Sequence, residues 1–442
     1  MAANVKQILK EVLAEITPKD GVAEEVSAFL KKLNSNLKKK GIRAKAVLGG
    51  SFAKGTNLRG DHDVDIFVRF DLGYDSDKLS GLLEPCLKVW KAERIHGSRD
   101  YFQVRDSIKF EVVPVLGIKK PREAKNVTDF SPWHVDWVNK HGKKIKQEIM
   151  LAKKFLKAQG AYGAESYIKG FSGHVVDILV IHYGGFTKLL RAVSQWKVGK
   201  KGREEKQVVD PYNVYKGRAL MMLNKSKLQS PLVLIDPVQP DRNASAALDE
   251  ENYKKFVSAA KRFLKKPSGQ FFVEKKADFS RLAGKGHLVM ISAESLAGSE
   301  DVAGTKLLKA FEFLRQKLAD AGFKLAEAGW QWDKNASQGK CGLSCGEPDL
   351  RLKKRAIFWF VTKQKQLPKI EVRQGPPEGR EPFAADFRKK YARIGKVFVS
   401  KGRLWARVER KHRTPEMLLA FWLKDGYLKD KFRAARIKRQ AE

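Results

Sequence analysis

Val47–Phe70, VLGGSFAKGTNLRGDHDVDIFVRF, opens on a glycine turn and closes on a strand in which acids alternate with aliphatic residues. Side chains two apart on a strand share a face. Val64, Ile66, Val68 and Phe70 therefore offer one apolar face to a core, and Asp63 and Asp65 project together from the other. Carboxylates held that close repel unless a cation lies between them, and a hard divalent ion suits oxygen ligands. Asp61 extends the every-second-residue series, but in RGDHD it reads more simply as a turn acid. Ahead of the strand, Gly49 and Gly50 let backbone approach a ligand closely. Ser51 adds a hydroxyl and an N–H, and Lys54 adds a charge one turn later.

Working outward, a third acid stands in SIKFEVVPV. There Ile108, Phe110 and Val112 alternate inward, which leaves Glu111 on the opposite face. If that strand lies beside Asp63–Phe70, three carboxylates converge next to a phosphate-binding turn. Such a site fits two-metal nucleotidyl transfer, in which one ion activates a hydroxyl and the other steadies a leaving pyrophosphate. Phosphate monoester hydrolysis would use the metals without needing the cradle.

The rest of the 442 residues gives that site a setting. The chain carries 88 Lys+Arg against 50 Asp+Glu, a formal net charge of +38. An excess of one sign repels itself and favours a polyanionic partner, RNA or DNA. A thermally adapted surface would raise both signs together. Residues 351–442 hold 27 Lys+Arg and 9 Asp+Glu, with aromatics interleaved in LKKRAIFWFVTK and GRLWARVERK. Cations beside stacking surfaces suit RNA phosphates and splayed bases. The three cysteines imply no disulfide framework, and CGLSC (Cys341, Cys345) lacks a second Cys/His pair at metal spacing. The N-terminus carries acids and no continuous apolar run, and no 18-residue apolar stretch occurs, so neither a signal peptide nor a membrane span is expected and the expected place is cytoplasmic.

Periodicity predicts an α+β, multidomain chain. Two helices are expected over residues 3–40, then strands near Lys45–Leu48, Asp63–Phe70, Tyr101–Val104 and Ile108–Val115, with a helix over Leu79–Lys91. KKPREAKNVTDFSPWH reads as a turn-rich connector. From Lys143 the pattern turns helical: Ile145, Ile149, Ala152 and Leu156 share a stripe that Gly160 ends, with Lys153 on the polar side and Tyr162 just past the cap. VVDILVIHYGGFTKLLRAV is expected to continue as helix, and SPLVLIDPV as a buried strand. A third region alternates strands (GHLVMIS, AIFWFVT, KVFVS, LWARVER) with helices over Thr305–Ala319 and Pro415–Leu423. The expected domains are a head over 1–142, a central domain over 143–264 and a C-terminal RNA-binding region over 265–442.

Gly50-Ser51, eleven residues, then Asp63-Val64-Asp65-Ile66 resembles the signature of the DNA polymerase β nucleotidyltransferase superfamily. SPWHVDWV, AKKFLKAQGAYGAESYIKGFSGHVVDILVIHYGGF, DPVQPDRNASAAL, PSGQFF and GRLWARVERKHRTPE together resemble the class I, archaeal-type CCA-adding enzymes across essentially the whole chain. The resemblance implies a polymerase-β-like catalytic head and Mg²⁺ bound by Asp63, Asp65 and Glu111. The family commonly has Asp at the third place, so Glu111 departs from it by one methylene. It further implies triphosphate contacts from Ser51, Lys54 (often Arg in the family), Lys153 and Tyr162. His134 would contact the nucleotide and Arg242 would help select the base. The implied activity is template-independent addition of C, C and A to tRNA 3′ ends from CTP and ATP, with tRNA held at its acceptor arm; a homodimer stays open. The rival readings are a poly(A) polymerase-like terminal transferase and an RNA-binding scaffold with a degenerate transferase head.

Overall fold

The computed structural model describes residues 2–18, 22–61, 63–105, 108–199, 205–274, 277–297, 299–332 and 355–438. Cys341 and Cys345 lie outside the described residues, as do His62 and the first four residues of the basic 351–442 region. Two amphipathic helices, α1 (Ala2–Ile16) and α2 (Val22–Lys39), lead into β1 (Ala44–Leu48), the short α3 (Gly50–Lys54) and β2 (Asp63–Phe70). After α4 (Leu79–Leu87) come β3 (Glu93–Ile95), β4 (Tyr101–Arg105) and β5 (Lys109–Leu116). These strands form one sheet in the order β1-β2-β5-β4-β3. Only β2 and β5 run parallel among its neighbours, and a parallel pair needs a crossover, here the α4–β4 segment.

Burial follows the alternation. Val64, Ile66 and Val68 are fully buried and Phe70 nearly so. They pack with Phe110 and Val112 of β5, Phe29, Leu33 and Leu37 of α2, and Leu79 and Leu83 of α4. Phe29 and Phe110 stack with ring centroids 4.0 Å apart. The register pairs Asp65 with Glu111 and Asp63 with Lys109, so the acids share the face away from this core.

The connector expected up to His134 instead enters a helix, α5 (Ser131–His141), whose first turn takes Pro132, a residue whose missing N–H costs nothing there. Next come α6 (Lys146–Ala158), α7 (Gly173–Tyr183) and α8 (Phe186–Ser194). The expected single helix from Val175 to Val193 is two, because Gly184 (φ 72°) and Gly185 (φ 128°) take conformations that end one helix and turn the chain into the next. β6 (Gln207–Val209), α9 (Ala219–Met222), β7 (Leu232–Leu234) and α10 (Glu250–Lys265) complete this part, with β6 and β7 parallel. Phe155, Phe171, Phe186, Phe256, Phe263 and Phe272 form its aromatic core. Val12 and Ile16 of α1 and Val138 of α5 also enter that core. Residues expected in separate head and central domains thus interlock, and Met1–Lys275 is one compact unit.

Lys276–Glu442 is the second unit. After α11 (Phe279–Ala283) and β8 (His287–Glu294), the long α12 (Glu300–Asp320) precedes β9 (Leu325–Trp332) and β10 (Arg355–Thr362). β11 (Ile370–Pro377), α13 (Phe383–Ala392), β12 (Gly395–Ser400), β13 (Arg403–Glu409), α14 (Pro415–Trp422) and β14 (Ala434–Lys438) follow. One antiparallel sheet, β14-β8-β10-β9, buries Val289, Ile291, Phe358 and Phe360 under Leu307, Phe311, Leu314 and Leu318 of α12. A second sheet, β11-β13-β12, is three-stranded and antiparallel.

Candidate active site

The parallel register of β2 and β5 brings the Asp65 and Glu111 side chains to one surface, with Asp63 two residues before Asp65. Lys109 inserts its ammonium between two of these acids: Nζ lies 3.3 Å from Asp63 Oδ1 and 2.8 Å from Glu111 Oε1. Gln103 of β4 donates to Glu111 Oε1 at 3.1 Å. Burial first, and then the Glu111 charge, push the Asp65 carboxyl up to about 6. Three carboxylates therefore crowd to the point where one resists ionising, although an ammonium already sits among them. An all-oxygen donor set of that charge fits a hard divalent cation such as Mg²⁺.

The glycine turn closes over Asp65. The Gly49 N–H donates to the Asp65 carbonyl at 2.7 Å. Gly50 has φ 53°, and a Cβ at that position would overlap Asp65 Oδ2. Only glycine tolerates both the left-handed backbone and that approach. Ser51, partly exposed, follows in the first turn of α3, whose Ala53 carbonyl accepts from Asn139 Nδ2 of α5 at 3.1 Å.

Lys54 does not point to solvent. It is buried, and its Nζ donates to Asp177 Oδ2 at 2.7 Å. Lys153, expected on the polar side of α6, is also buried: it faces across to Asp177 Oδ1 at 3.4 Å and donates to Thr56 Oγ1 at 2.8 Å. The stripe misleads because α7 packs over the very face that carries Lys153. Asp177 itself is fully buried on α7. Burial works to raise its carboxyl, but the Lys153 and Lys54 charges hold it below the ordinary range. Burial depresses Lys153 despite Asp177. One carboxylate shared by two ammonium groups leaves a surplus positive charge that an anion would complement.

Tyr162 lies beyond the Gly160 turn, with its hydroxyl against Gly173, where a Cβ would come to 2.9 Å. Burial first, then the Asp177 charge, raises its phenol, so it stays a hydrogen-bond donor. Lys157 covers its ring at 5.4 Å and pairs with Asp61 Oδ1 at 2.8 Å. Asp61 Oδ2 accepts from the Leu58 N–H at 2.8 Å, the geometry of a turn acid.

His134 and Arg242 meet at Asp236, which follows β7 and is fully buried. Asp236 Oδ1 accepts from the Val238 N–H at 2.9 Å. Its Oδ2 lies 3.2 Å from His134 Nε2, 3.4 Å from His174 Nε2 and 3.1 Å from the Arg242 guanidinium. The two imidazoles lie 3.9 Å apart, centroid to centroid. Burial would raise the Asp236 carboxyl, but the neighbouring imidazole nitrogens of His134 and His174 outweigh it and hold it far below the ordinary range. Burial pushes His174 down to about 4, so it is neutral at physiological pH.

Comparison with known proteins gives this geometry a family. A nucleotidyltransferase domain matches residues 29–155, a tRNA nucleotidyltransferase second domain matches 147–273, and a CCA-adding enzyme C-terminal domain matches 349–426. The CCA-adding enzyme of Nanoarchaeum equitans is 35% identical over 66% of this chain and 71% of its own length. That of Methanococcus maripaludis strain C7 is 30% identical over 86% and 83%, and that of Methanocaldococcus jannaschii 29% over 92% and 88%. The chain belongs to the CCA-adding enzyme family.

Within that family framework, four residues next to the expected ones went unread in the sequence: Lys109, Asp177, His174 and Asp236. Asp177 had a signal, since an acid inside VVDILVI has no place in a buried helix without a cationic partner. His174, two residues after the Ser172 N-cap, and Asp236, after three buried residues of β7, look like capping and turn chemistry when read alone. Lys109 alternates outward like any strand lysine.

Proposed function

We propose that this chain extends tRNA 3′ ends with C, C and A, drawing on CTP and ATP and releasing pyrophosphate. The observation that carries the chemistry is the β2/β5 register, with Asp65 beside Glu111 and Asp63 on the same face. Asp63, Asp65 and Glu111 would hold Mg²⁺, which when bound lowers the pKa of an attacking hydroxyl and neutralises charge on a leaving pyrophosphate. The chain's own residues do the rest. The tRNA 3′-hydroxyl gives up its proton to solvent as its oxygen attacks the α-phosphorus in line, the bond from the α-phosphorus to the bridging oxygen breaks, and pyrophosphate leaves. Ser51 offers its N–H and hydroxyl to the triphosphate, Tyr162 offers a phenolic proton, and the surplus charge on Lys54 and Lys153 draws the phosphates in. All four keep the α-phosphorus within reach. His134 and Arg242, organised by Asp236, address the nucleotide from the other side, with Arg242 reading the base edge.

The basic second unit would grip the acceptor arm by phosphate and shape. Among the described residues no helix is long and apolar enough to cross a membrane, in keeping with work in the cytoplasm on tRNA. Incubation with tRNA lacking its 3′ end and each nucleoside triphosphate separately tests the reading. With CTP alone the expected result is limited C incorporation, with ATP alone none, and with both a single A after the added C residues. Unlimited A tailing without C would replace it by a poly(A) polymerase. Asp63→Ala with Asp65→Ala should abolish incorporation and leave tRNA binding largely intact; undiminished incorporation would overturn the carboxylate assignment.

A further inference from the structure

Two half-buried histidines and a buried aspartate converge outside the carboxylate site. His134 Nε2 and both ring nitrogens of His174 are shut off from solvent and have no hydrogen-bond partner among the described residues. Buried polar nitrogens without partners are uncommon and call for an explanation. Their surroundings supply one. His134, His174 and Asp236 can each give one ligand atom, a ring nitrogen or a carboxylate oxygen, all within 4.8 Å of one another. Two ligand atoms on a tetrahedral Zn²⁺, each about 2.0–2.2 Å from it, stand about 3.3–3.5 Å apart. The separations from Asp236 Oδ2 are 3.2 Å and 3.4 Å. Both distances fall in the hydrogen-bonding range, yet neither contact is aligned as a hydrogen bond, which leaves these nitrogens open to another partner.

We propose that His134, His174 and Asp236 form a binding site for a borderline divalent transition metal, with Zn²⁺ as the type ion. The donor set separates it from Asp63, Asp65 and Glu111: two imidazoles and one carboxylate select zinc-like ions, whereas all-oxygen sites select Mg²⁺. Asp236 is already held by the Val238 N–H through its other oxygen, as a ligating carboxylate usually is. Arg242 now balances Oδ2, but its side chain is 36% exposed and can turn outward when an ion takes its place. Three protein ligands leave a fourth position for water or a ligand oxygen. The proposal shares His134 and Asp236 with the nucleotide-facing group of the CCA-addition reading, but its test reads metal retention without turnover, so the two can fail separately.

Equilibrium dialysis of the full chain against Zn²⁺, with excess Mg²⁺ to fill the carboxylate site, tests it. About one equivalent should be retained by the unaltered chain and by the Cys341→Ser/Cys345→Ser variant, which removes the competing thiols. His174→Phe should weaken binding roughly 100-fold, as should Asp236→Asn. With Co²⁺ in place of Zn²⁺, the unaltered chain should show the strong visible bands of a low-coordinate ion, and His174→Phe should not. His174→Gln provides a second variant if the phenylalanine disturbs folding, which thermal unfolding would reveal. Absence of stoichiometric Zn²⁺, or undiminished affinity in folded His174 variants, would overturn the site.

Discussion

Lys109 of β5 stands directly opposite Asp63 of β2. Its ammonium bridges Asp63 and Glu111 and so stands where a divalent ion would draw its charge balance. A bound cation must displace it, and the cost of that displacement weakens metal affinity. Lys109→Met should therefore bind Mn²⁺, followed by its paramagnetic resonance signal, about tenfold more tightly, a change of roughly 1.4 kcal/mol. Unchanged or weaker affinity would show that the lysine does not compete. Asp177 makes the opposite case. It is a buried acid between two buried lysines, so Asp177→Asn leaves uncompensated charge and should cost about 3–5 kcal/mol on denaturant unfolding, far more than a surface change. A loss under about 1 kcal/mol would mean that the lysines find another partner. The carboxylates were legible because strand period fixes which face they share; their cationic partners come from sequence-distant or outward-looking positions that no local pattern marks.

At the scale of elements, the glycine turn into α3 is both a sequence signal and a packing constraint. Gly50→Ala must relieve an overlap with Asp65 and hold a left-handed backbone, so it should move the Asp65 carboxylate and depress nucleotide incorporation at least about tenfold. Near-normal rates would show that the turn can shift without harm. The segment before α5 is held differently. Asp129, fully buried, accepts from the N–H groups of Leu116, Lys125 and Asn126 and pairs with the buried Arg99. Burial would raise its carboxyl, but Arg99 and these donors hold it below the ordinary range. The sign follows: its stabilisation is present above the unfolded pKa of about 3.9 and is lost as pH falls through the folded one. Asp129→Asn should then flatten the acid side of the stability curve; a variant tracking the parent down to the acid limit would refute this. Elements with clean periods, β2, β5, α6 and α12, were readable in advance. β9, β11 and α13 were not. β9 and β11 are edge strands, and β11 and α13 have few buried residues, so they carry little alternation or stripe to read.

Across the whole molecule, the +38 charge is not spread evenly, and the second unit carries an excess that its own folding does not explain. On β12 and β13, the exposed Lys396 stands directly opposite the exposed Arg407. Like charges opposite one another in a sheet are destabilising by a few tenths of a kcal/mol to about 1 kcal/mol. A chain that keeps such a pair gains from it elsewhere, and a polyanion laid across the sheet is the partner that turns repulsion into attraction. Arg407 also lies over the Phe398 ring at 5.1 Å, which leaves a flat guanidinium beside an aromatic surface suited to RNA. Two expectations follow for Lys396→Ala with Arg407→Ala. The slope of log affinity for tRNA against log salt should shrink by about 2, roughly one for each cation removed. The melting temperature should hold or rise slightly, since among the described residues the change removes an unfavourable like-charge pair and one ring contact. Filter binding over a salt series measures the first and calorimetry the second. If the slope stays the same, this sheet does not face the RNA, and the second unit's charge must act through other strands.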